Sequence, residues 1–256
     1  MNTTLCFDFG NTRLKCAVFL DDRLAEVFSL ADSGKGTIAA LQKKYKPTKT
    51  ILSSVIEHDK EIEKILGEKC AFHKLSSQTN LPFTTPVGKP ETIGADRLAL
   101  AAGAVYFYKG LNSLVVGLGS CITYNFINKY NSFLGGSISP GMGMRLKSLS
   151  TFTAKLPLIK IDTGEIGRNF PLIGYDTRTN ILSGVILGMA AEIDGIIDQY
   201  REKFGNLNVV LTGGDALYIT HFLKNKIISD PDMLFKGLYA ISENNHTAIN
   251  FDATGK

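Results

Sequence analysis

The segment TLCFDFGNTRLKCAVFL, residues 4–20, decides the predicted fold class. It holds an apolar strand at 4–9, a Gly-Asn-Thr turn at 10–12 and an alternating strand at 13–20. Glycine in such a turn lets two strands follow each other closely, so the spacing predicts a strand–turn–strand unit. A third strand is predicted at 23–30, after an Asp-Asp turn. This opening is typical of a sheet built from sequential strands.

The same pattern recurs in the second half of the chain. Strands are predicted at 114–118, 121–128 and 132–138, again joined by short turns. In both halves, helices and further strands follow the first three strands. Helices are predicted at 36–45, 58–67, 94–108, 141–154, 179–203 and 215–224, and further strands at 50–55, 70–75 and 208–212.

This duplication predicts an α/β fold of two similar domains, each with a mixed sheet, and a cleft between them. The pattern restarts near residues 111–113, which divides the chain into an N-terminal domain at 1–112 and a C-terminal domain at 113–256. In α/β folds of this kind, ligands bind at loops beyond the ends of strands.

Composition narrows the function classes. Of 256 residues, 44% are apolar and 20% charged, which excludes a disordered chain, and four cysteines are too few for a disulfide scaffold. The net charge of +4 is too small to argue for nucleic acid, and the basic residues are scattered. We expect no nucleic-acid partner.

The sequence also predicts a cytoplasmic protein. No uninterrupted apolar run reaches the roughly 18 residues of a membrane-spanning helix. The N-terminus has no basic region followed by an apolar core, as a secretory signal would. We expect reduced cysteines, no membrane partner and no structural zinc, because the four histidines lack ligand spacing.

Three glycine-rich loops follow predicted strands, at 8–12, 117–123 and 212–215. Backbone N–H groups in such bends can bind phosphate oxygens. A single loop of this kind is usually a plain hairpin turn. Three of them, at matching places of a repeat, favour a phosphate-binding site.

Four motifs occur in order along the chain. They are Asp8-Phe9-Gly10-Asn11-Thr12 with Lys15, Gly94-Ala95-Asp96-Arg97, Gly135-Gly136-Ser137-Ile138-Ser139-Pro140-Gly141, and Thr212-Gly213-Gly214-Asp215-Ala216. Together they resemble the type III pantothenate kinases, members of the actin-like, sugar-kinase and heat-shock chaperone ATPase superfamily. The resemblance covers roughly residues 4–240 and implies two duplicated RNase H-like (actin-like ATPase) domains.

The resemblance implies a phosphotransferase that moves the γ-phosphoryl group of ATP to the primary hydroxyl of pantothenate. The product is 4'-phosphopantothenate, and the reaction is the first step of coenzyme A biosynthesis. Such a reaction needs positioning, charge neutralisation and a base near the attacking hydroxyl. ATP and Mg²⁺ are the implied cofactors, and pantothenate is the implied small-molecule partner.

The resemblance also assigns roles to residues. Asp96 is the implied general base, and the alternative is an aspartate that caps a helix. Asp8 would hold Mg²⁺ through water, and the alternative is an aspartate that caps a turn. Further ATP or phosphate contacts are implied for Gly10, Asn11, Thr12, Lys15, Ser120, Gly213 and Gly214, and substrate contacts for Val87, Gly94, Ala95, Asp96, Arg97 and Thr177, the threonine reaching over from a partner subunit.

Three positions depart from the family pattern. The family aspartate that helps to bind K⁺ or ammonium is replaced by Gly117, which has no side chain to do so. A requirement for a monovalent cation is therefore expected to be weaker or absent. Asn125 replaces a second family aspartate, and Val87 stands near the place of a tyrosine that packs on pantothenate.

Two alternatives stay open at this point. Some members of the family act as accessory factors for transcription, and the altered loop at Gly117 is compatible with a weakly active or non-catalytic protein. Another small-molecule kinase of the superfamily, such as a sugar kinase, is the second. The family is dimeric, so a homodimer is expected, and the apolar helix at 181–197 is either a core helix or a dimer seam.

Overall fold

The computed structural model describes residues 2–10, 13–76, 78–86 and 88–253, and their side chains except at 90 and 246–253. The chain forms two compact units. Unit 1 comprises Met1–Lys109, Asn131–Phe133 and Asp232–Lys256, and unit 2 comprises Gly110–Tyr130 and Leu134–Pro231.

Ten strands and seven α-helices make up the described chain. The strands are β1 (Thr3–Phe9), β2 (Leu14–Leu20), β3 (Arg23–Ser29), β4 (Lys49–Ser54), β5 (Ala71–Lys74), β6 (Asn112–Leu118), β7 (Cys121–Ile127), β8 (Phe133–Pro140), β9 (Leu207–Thr212) and β10 (Ile228–Ser229). The helices are α1 (Lys35–Tyr45), α2 (Lys60–Gly67), α3 (Ala95–Phe107), α4 (Met142–Thr151), α5 (Thr177–Phe204), α6 (Ala216–Ile219) and α7 (Met233–Ala253).

The two sheets share one topology. The first has the strand order β3-β2-β1-β4-β5, and the second, written from its other edge, has the order β8-β7-β6-β9-β10. In the first sheet, β1 pairs antiparallel with β2 and parallel with β4. In the second sheet, β6 pairs antiparallel with β7 and parallel with β9. The predicted fold class, two duplicated α/β halves with mixed sheets, is thereby confirmed.

In unit 1, the alternation of β1 sorts its side chains onto two faces. Phe7 and Phe9 are fully buried in a core that includes Ile38 of α1 and Leu66 of α2. The opposite face of the sheet is covered by α3 and α7, which pack against each other and contact β4. Asp8 belongs to that opposite face.

In unit 2, α5 supplies much of the core. Its residues Ile186, Met189, Ile193 and Ile197 are buried with the apolar side chains of β6, β7 and β9. The structure therefore uses this face of the helix as a core face, the first of the two alternatives for residues 181–197. By length and composition alone α5 could also cross a membrane, and 56% of its most apolar window is buried inside the protein.

The last helix departs from the predicted division at 112/113, because α7 belongs to unit 1. Gly237 of α7 meets α3 so closely that an added Cβ would lie 1.8 Å from the carbonyl oxygen of Ala99. No helix is predicted here from the sequence. Residues 238–242 of α7 are all buried, so their apolar side chains do not follow the one-face period that marks a surface helix.

Candidate active site

Asp8 lies near the C-terminal end of β1, between two neighbouring strands. Its register partner on β2 is Lys15, and its partner on the parallel strand β4 is Ser53. Register partners on adjacent strands project from the same face of a sheet. The three side chains therefore form a polar row across the middle strands of the sheet, on the face opposite the core that holds Phe7 and Phe9.

Asp96 lies beside this row. It stands in the first turn of α3, where the partial positive charge of the helix N-terminus favours a carboxylate. Burial raises the pKa of Asp8 to about 6, and the charge of Asp96 adds to that rise, while Lys15 and Ser53 act in the opposite direction. The structure thus brings together, within unit 1, the two carboxylates that the motifs single out.

Gly94 explains how the Asp96 carboxylate fits at this place. A Cβ at Gly94 would lie 2.6 Å from Oδ1 of Asp96, so any other residue would push that carboxylate aside. Gly94, not Asp96, is the N-cap of α3, and the helix-capping alternative for Asp96 does not hold. Arg97 follows with its guanidinium 5.7 Å from the centre of the Phe133 ring.

The first glycine-rich turn is partly described. The N–H of Gly10 donates to the carbonyl of Arg13 at 3.2 Å, and an added Cβ at Gly10 would lie 3.2 Å from the same oxygen. Asn11, Thr12 and Val87, three of the predicted contact residues, lie outside the described residues.

Three loops of unit 2 meet at close range. Gly213 has φ +100°, and an added Cβ would lie 2.1 Å from the carbonyl oxygen of Leu118. The N–H of Asp215 donates to the same carbonyl, and the N–H of Gly141 donates to the carbonyl of Ser120. The predicted residues Gly213 and Ser120 therefore belong to one cluster of loops, next to the exposed Gly214.

Asp215 also belongs to this cluster, and the sequence predicts no role for it. Burial raises the pKa of its carboxyl to about 6, although the N–H of Met142, at the start of α4, donates to it and opposes the rise. Its position directly after the Gly213-Gly214 pair is the one signal in the sequence that could have singled it out.

Two of the positions that depart from the family pattern, Gly117 and Asn125, lie within the sheet of unit 2. Gly117 lies inside β6, paired with Thr123 on one side and Thr212 on the other. Asn125 is fully buried, and its amide donates to the carbonyl of Val115 and to the hydroxyl of Thr123. Asn125 therefore ties β7 to β6.

Thr177 is the first residue of α5 and is exposed. It lines a groove of about 580 Å³ between α4 and α5, together with Arg145, Asn180 and several apolar side chains. Arg145 also pairs with Glu192 at this place.

The acidic pair in unit 1 fits a magnesium ion. Mg²⁺ is typically held by one or two carboxylates, by water and by the phosphates of a substrate, without a dedicated protein cage. Asp8 and Asp96 supply two carboxylates close enough to repel each other, and a cation would relieve that repulsion. Across the described part of the chain, no group of three or more His, Cys, Asp or Glu side chains could hold a metal ion.

Comparisons with known proteins agree with the motifs. The model of the family described as type III pantothenate kinase matches residues 4–199. A type III pantothenate kinase of Christiangramia forsetii is 41% identical, over 95% of this chain and 99% of its own length. One of Flavobacterium johnsoniae is 37% identical, over 91% and 95% of the two chains.

Solved structures share the fold. A "conserved putative Baf family transcriptional activator" from Campylobacter jejuni matches with a TM-score of 0.58 at 23% identity, over 95% of this chain and 99% of the other. A glucokinase from an Antarctic psychrotroph matches with a TM-score of 0.50 at 11% identity, over 95% and 99%. These two structures share the fold only, whereas the family model and the relatives show that the chain belongs to the type III pantothenate kinase family.

Proposed function

We propose that this protein transfers the γ-phosphoryl group of ATP to the primary hydroxyl of pantothenate. The product is 4'-phosphopantothenate, and the reaction opens coenzyme A biosynthesis. Family membership over nearly the whole chain supports the substrate and the reaction. The observation that carries the chemistry is the neighbouring pair Asp8 and Asp96, near the C-terminal end of the central strand β1.

Asp96 is the proposed general base. An alcohol is a weak nucleophile at neutral pH, and a carboxylate that accepts its proton during transfer contributes roughly 10²–10⁴-fold to the rate. The exposed position of Asp96 in the first turn of α3 supports this role, because its carboxylate is open to a substrate hydroxyl.

Asp8 is the proposed holder of Mg²⁺, through water. When bound, Mg²⁺ neutralises charge on the β- and γ-phosphates. Lys15, the register partner of Asp8 on β2, would add positive charge beside Asp8. The remaining nucleotide contacts stay as the motifs predict them, at Gly10, Asn11, Thr12, Ser120, Gly213 and Gly214.

Arg97 is proposed to bind the carboxylate of pantothenate, since guanidinium groups pair well with carboxylates. Its place in the Gly94-Ala95-Asp96-Arg97 motif supports a contact with pantothenate. The further substrate contacts proposed are the backbone of Gly94 and Ala95, the side chain of Val87, and Thr177 from a partner subunit.

The proposal includes a homodimer. Phe152, Leu172, Ile173 and Tyr175 in unit 2 are each more than three-quarters exposed, which is unusual for large apolar side chains on a surface that meets only water. A cytoplasmic location, without nucleic-acid or membrane partners, completes the proposal. Activity is expected to depend little on K⁺ or ammonium, because Gly117 offers no side-chain oxygen.

A substrate panel tests the proposal against its alternatives. Purified protein with ATP and Mg²⁺ is offered pantothenate, glucose or N-acetylmannosamine, with and without K⁺ or ammonium, and ADP is measured. The proposal expects ADP to form with pantothenate and not with either sugar. ADP with a hexose alone would indicate a sugar kinase, and no ADP under any condition would favour a non-catalytic member of the family.

A further inference from the structure

We propose that Ser53 is a positioning residue, whose hydroxyl donates a hydrogen bond to the Asp8 carboxylate and fixes its orientation. This inference rests on the proposed kinase function. No motif discussed above includes Ser53, and its assignment comes from the register of the sheet and from the surroundings of its side chain.

The geometry places Ser53 beside Asp8. The two residues are register partners on the parallel strands β1 and β4, on the face that α3 and α7 cover. Ser53 is 1% exposed, and among the described residues its hydroxyl has no partner at normal hydrogen-bonding geometry. Neighbouring strands lie about 4.8 Å apart, so the hydroxyl of Ser53 is within reach of the Asp8 carboxylate.

A buried hydroxyl without a full partner costs free energy, on the order of 1–3 kcal/mol. Alanine at this buried position would avoid that cost and keep the strand. Packing therefore gives no reason for a serine at position 53. A carboxylate that must keep one orientation beside a second carboxylate does give a reason, because a donor at close range counters the repulsion from Asp96.

The backbone of Ser53 is firmly held, as a positioning role requires. The N–H of Val55 donates to the carbonyl of Phe9 at 3.0 Å, which ties β4 to β1 just beyond Asp8. Next to Ser53, the Ser54 hydroxyl donates to the carbonyl of Ile56 and contacts Nδ1 of His58. Nε2 of His58 in turn contacts Glu63 at 3.0 Å. Ser54 therefore has hydrogen-bond partners of its own, whereas the hydroxyl of Ser53 has none in the described part of the chain.

The chain offers a matched control. Ser113 on β6 is also 1% exposed, and its hydroxyl also lacks a partner among the described residues, but it belongs to unit 2. Ser113→Ala removes the same group from a similar strand without touching Asp8. Ser53→Thr keeps a hydroxyl at the proposed place.

The test measures binding of ATP by calorimetry, with Mg²⁺ and with EDTA, and steady-state kinetics with pantothenate. Ser53→Ala is expected to weaken Mg²⁺-dependent ATP binding and to lower kcat by roughly tenfold, the effect of one lost hydrogen bond to a charged group. ATP binding in EDTA and the KM for pantothenate should stay near wild type, and the melting temperature should not fall. Ser53→Thr should restore most of the Mg²⁺-dependent ATP binding and most of the kcat. Ser113→Ala should change neither the binding nor the kcat.

The inference is overturned if Ser53→Ala binds Mg²⁺ and ATP as wild type does, or if Ser53→Thr fails to restore binding while folding normally. Calorimetry keeps this test separate from that of the proposed function. A wild-type protein that binds ATP with Mg²⁺ but does not phosphorylate pantothenate would contradict the kinase, and the comparison of Ser53→Ala with wild type would still decide the role of Ser53.

Discussion

Asp8 lies where a carboxylate lowers the stability of the fold. Burial, with the charge of Asp96, raises its pKa from 3.8 to about 6. Between these two values the folded protein binds the proton more tightly than the unfolded chain does, so stability falls as pH rises through this window. Above about pH 6 the ionised Asp8 carboxylate lowers the stability of the folded protein by its full amount.

We therefore expect Asp8→Asn to stabilise the protein at pH 7.5, by roughly 1–3 kcal/mol, and to gain little below about pH 4. Urea denaturation of both proteins at several pH values measures the difference. Asp96→Asn is a useful companion, because it removes the nearby charge and should give a smaller gain. A variant less stable than wild type at pH 7.5 would mean that the Asp8 carboxylate is well solvated or fully paired.

At the scale of single elements, two neighbouring glycines of the β9–α6 loop differ sharply. A Cβ at Gly213 would lie 2.1 Å from the Leu118 carbonyl, at φ +100°, whereas a Cβ at Gly214 meets nothing within 4 Å. Gly213→Ala is expected to cost more than about 2 kcal/mol, and Gly214→Ala to stay within roughly 0.5 kcal/mol. Chemical denaturation checks both, and equal losses in the two variants would contradict the loop geometry.

The packing of α7 on α3 can be tested in the same way. Gly237→Ala would force a Cβ to within 1.8 Å of the Ala99 carbonyl oxygen and should destabilise the protein by roughly 1–3 kcal/mol or more. Gly195→Ala, in an open stretch of α5, should be neutral or slightly stabilising. If both variants melt together with wild type, α7 does not pack on α3 as described.

The elements that the sequence predicts best are those with a clear period. The alternation of β1 and β2 and the turn between them identify the opening of the sheet, and the repeat predicts the second sheet. α7 escapes prediction because its middle is buried on all sides.

The candidate site divides in the same way. Asp8 and Asp96 stand in recognisable motifs, and so does Gly94, whose missing side chain leaves room for Asp96. Ser53 and Asp215 do not stand out, because their significance depends on which strand or loop lies beside them. The pairing of β4 with β1 is fixed by the whole fold, and the local sequence around Ser53 does not predict that Ser53 lies beside Asp8.

At the scale of the whole molecule, the exposed apolar side chains of unit 2 support the proposed homodimer. We expect sedimentation at micromolar protein to give twice the chain mass of 27.9 kDa. Replacing the exposed Leu172 and Ile173 by glutamate should shift the protein toward the mass of one chain without unfolding it. A wild-type protein at the mass of one chain would contradict the dimer and the proposed contact of Thr177 with a partner's substrate.

The measurement that tests the central claim most directly is the formation of 4'-phosphopantothenate from ATP and pantothenate, followed by mass spectrometry for wild type and Asp96→Asn. Wild type should form one phosphopantothenate for each ADP. Asp96→Asn should be slower by roughly 10²–10⁴-fold while still binding ATP. Wild-type protein that binds ATP but forms no phosphopantothenate, or Asp96→Asn protein that forms it at the wild-type rate, would contradict the account.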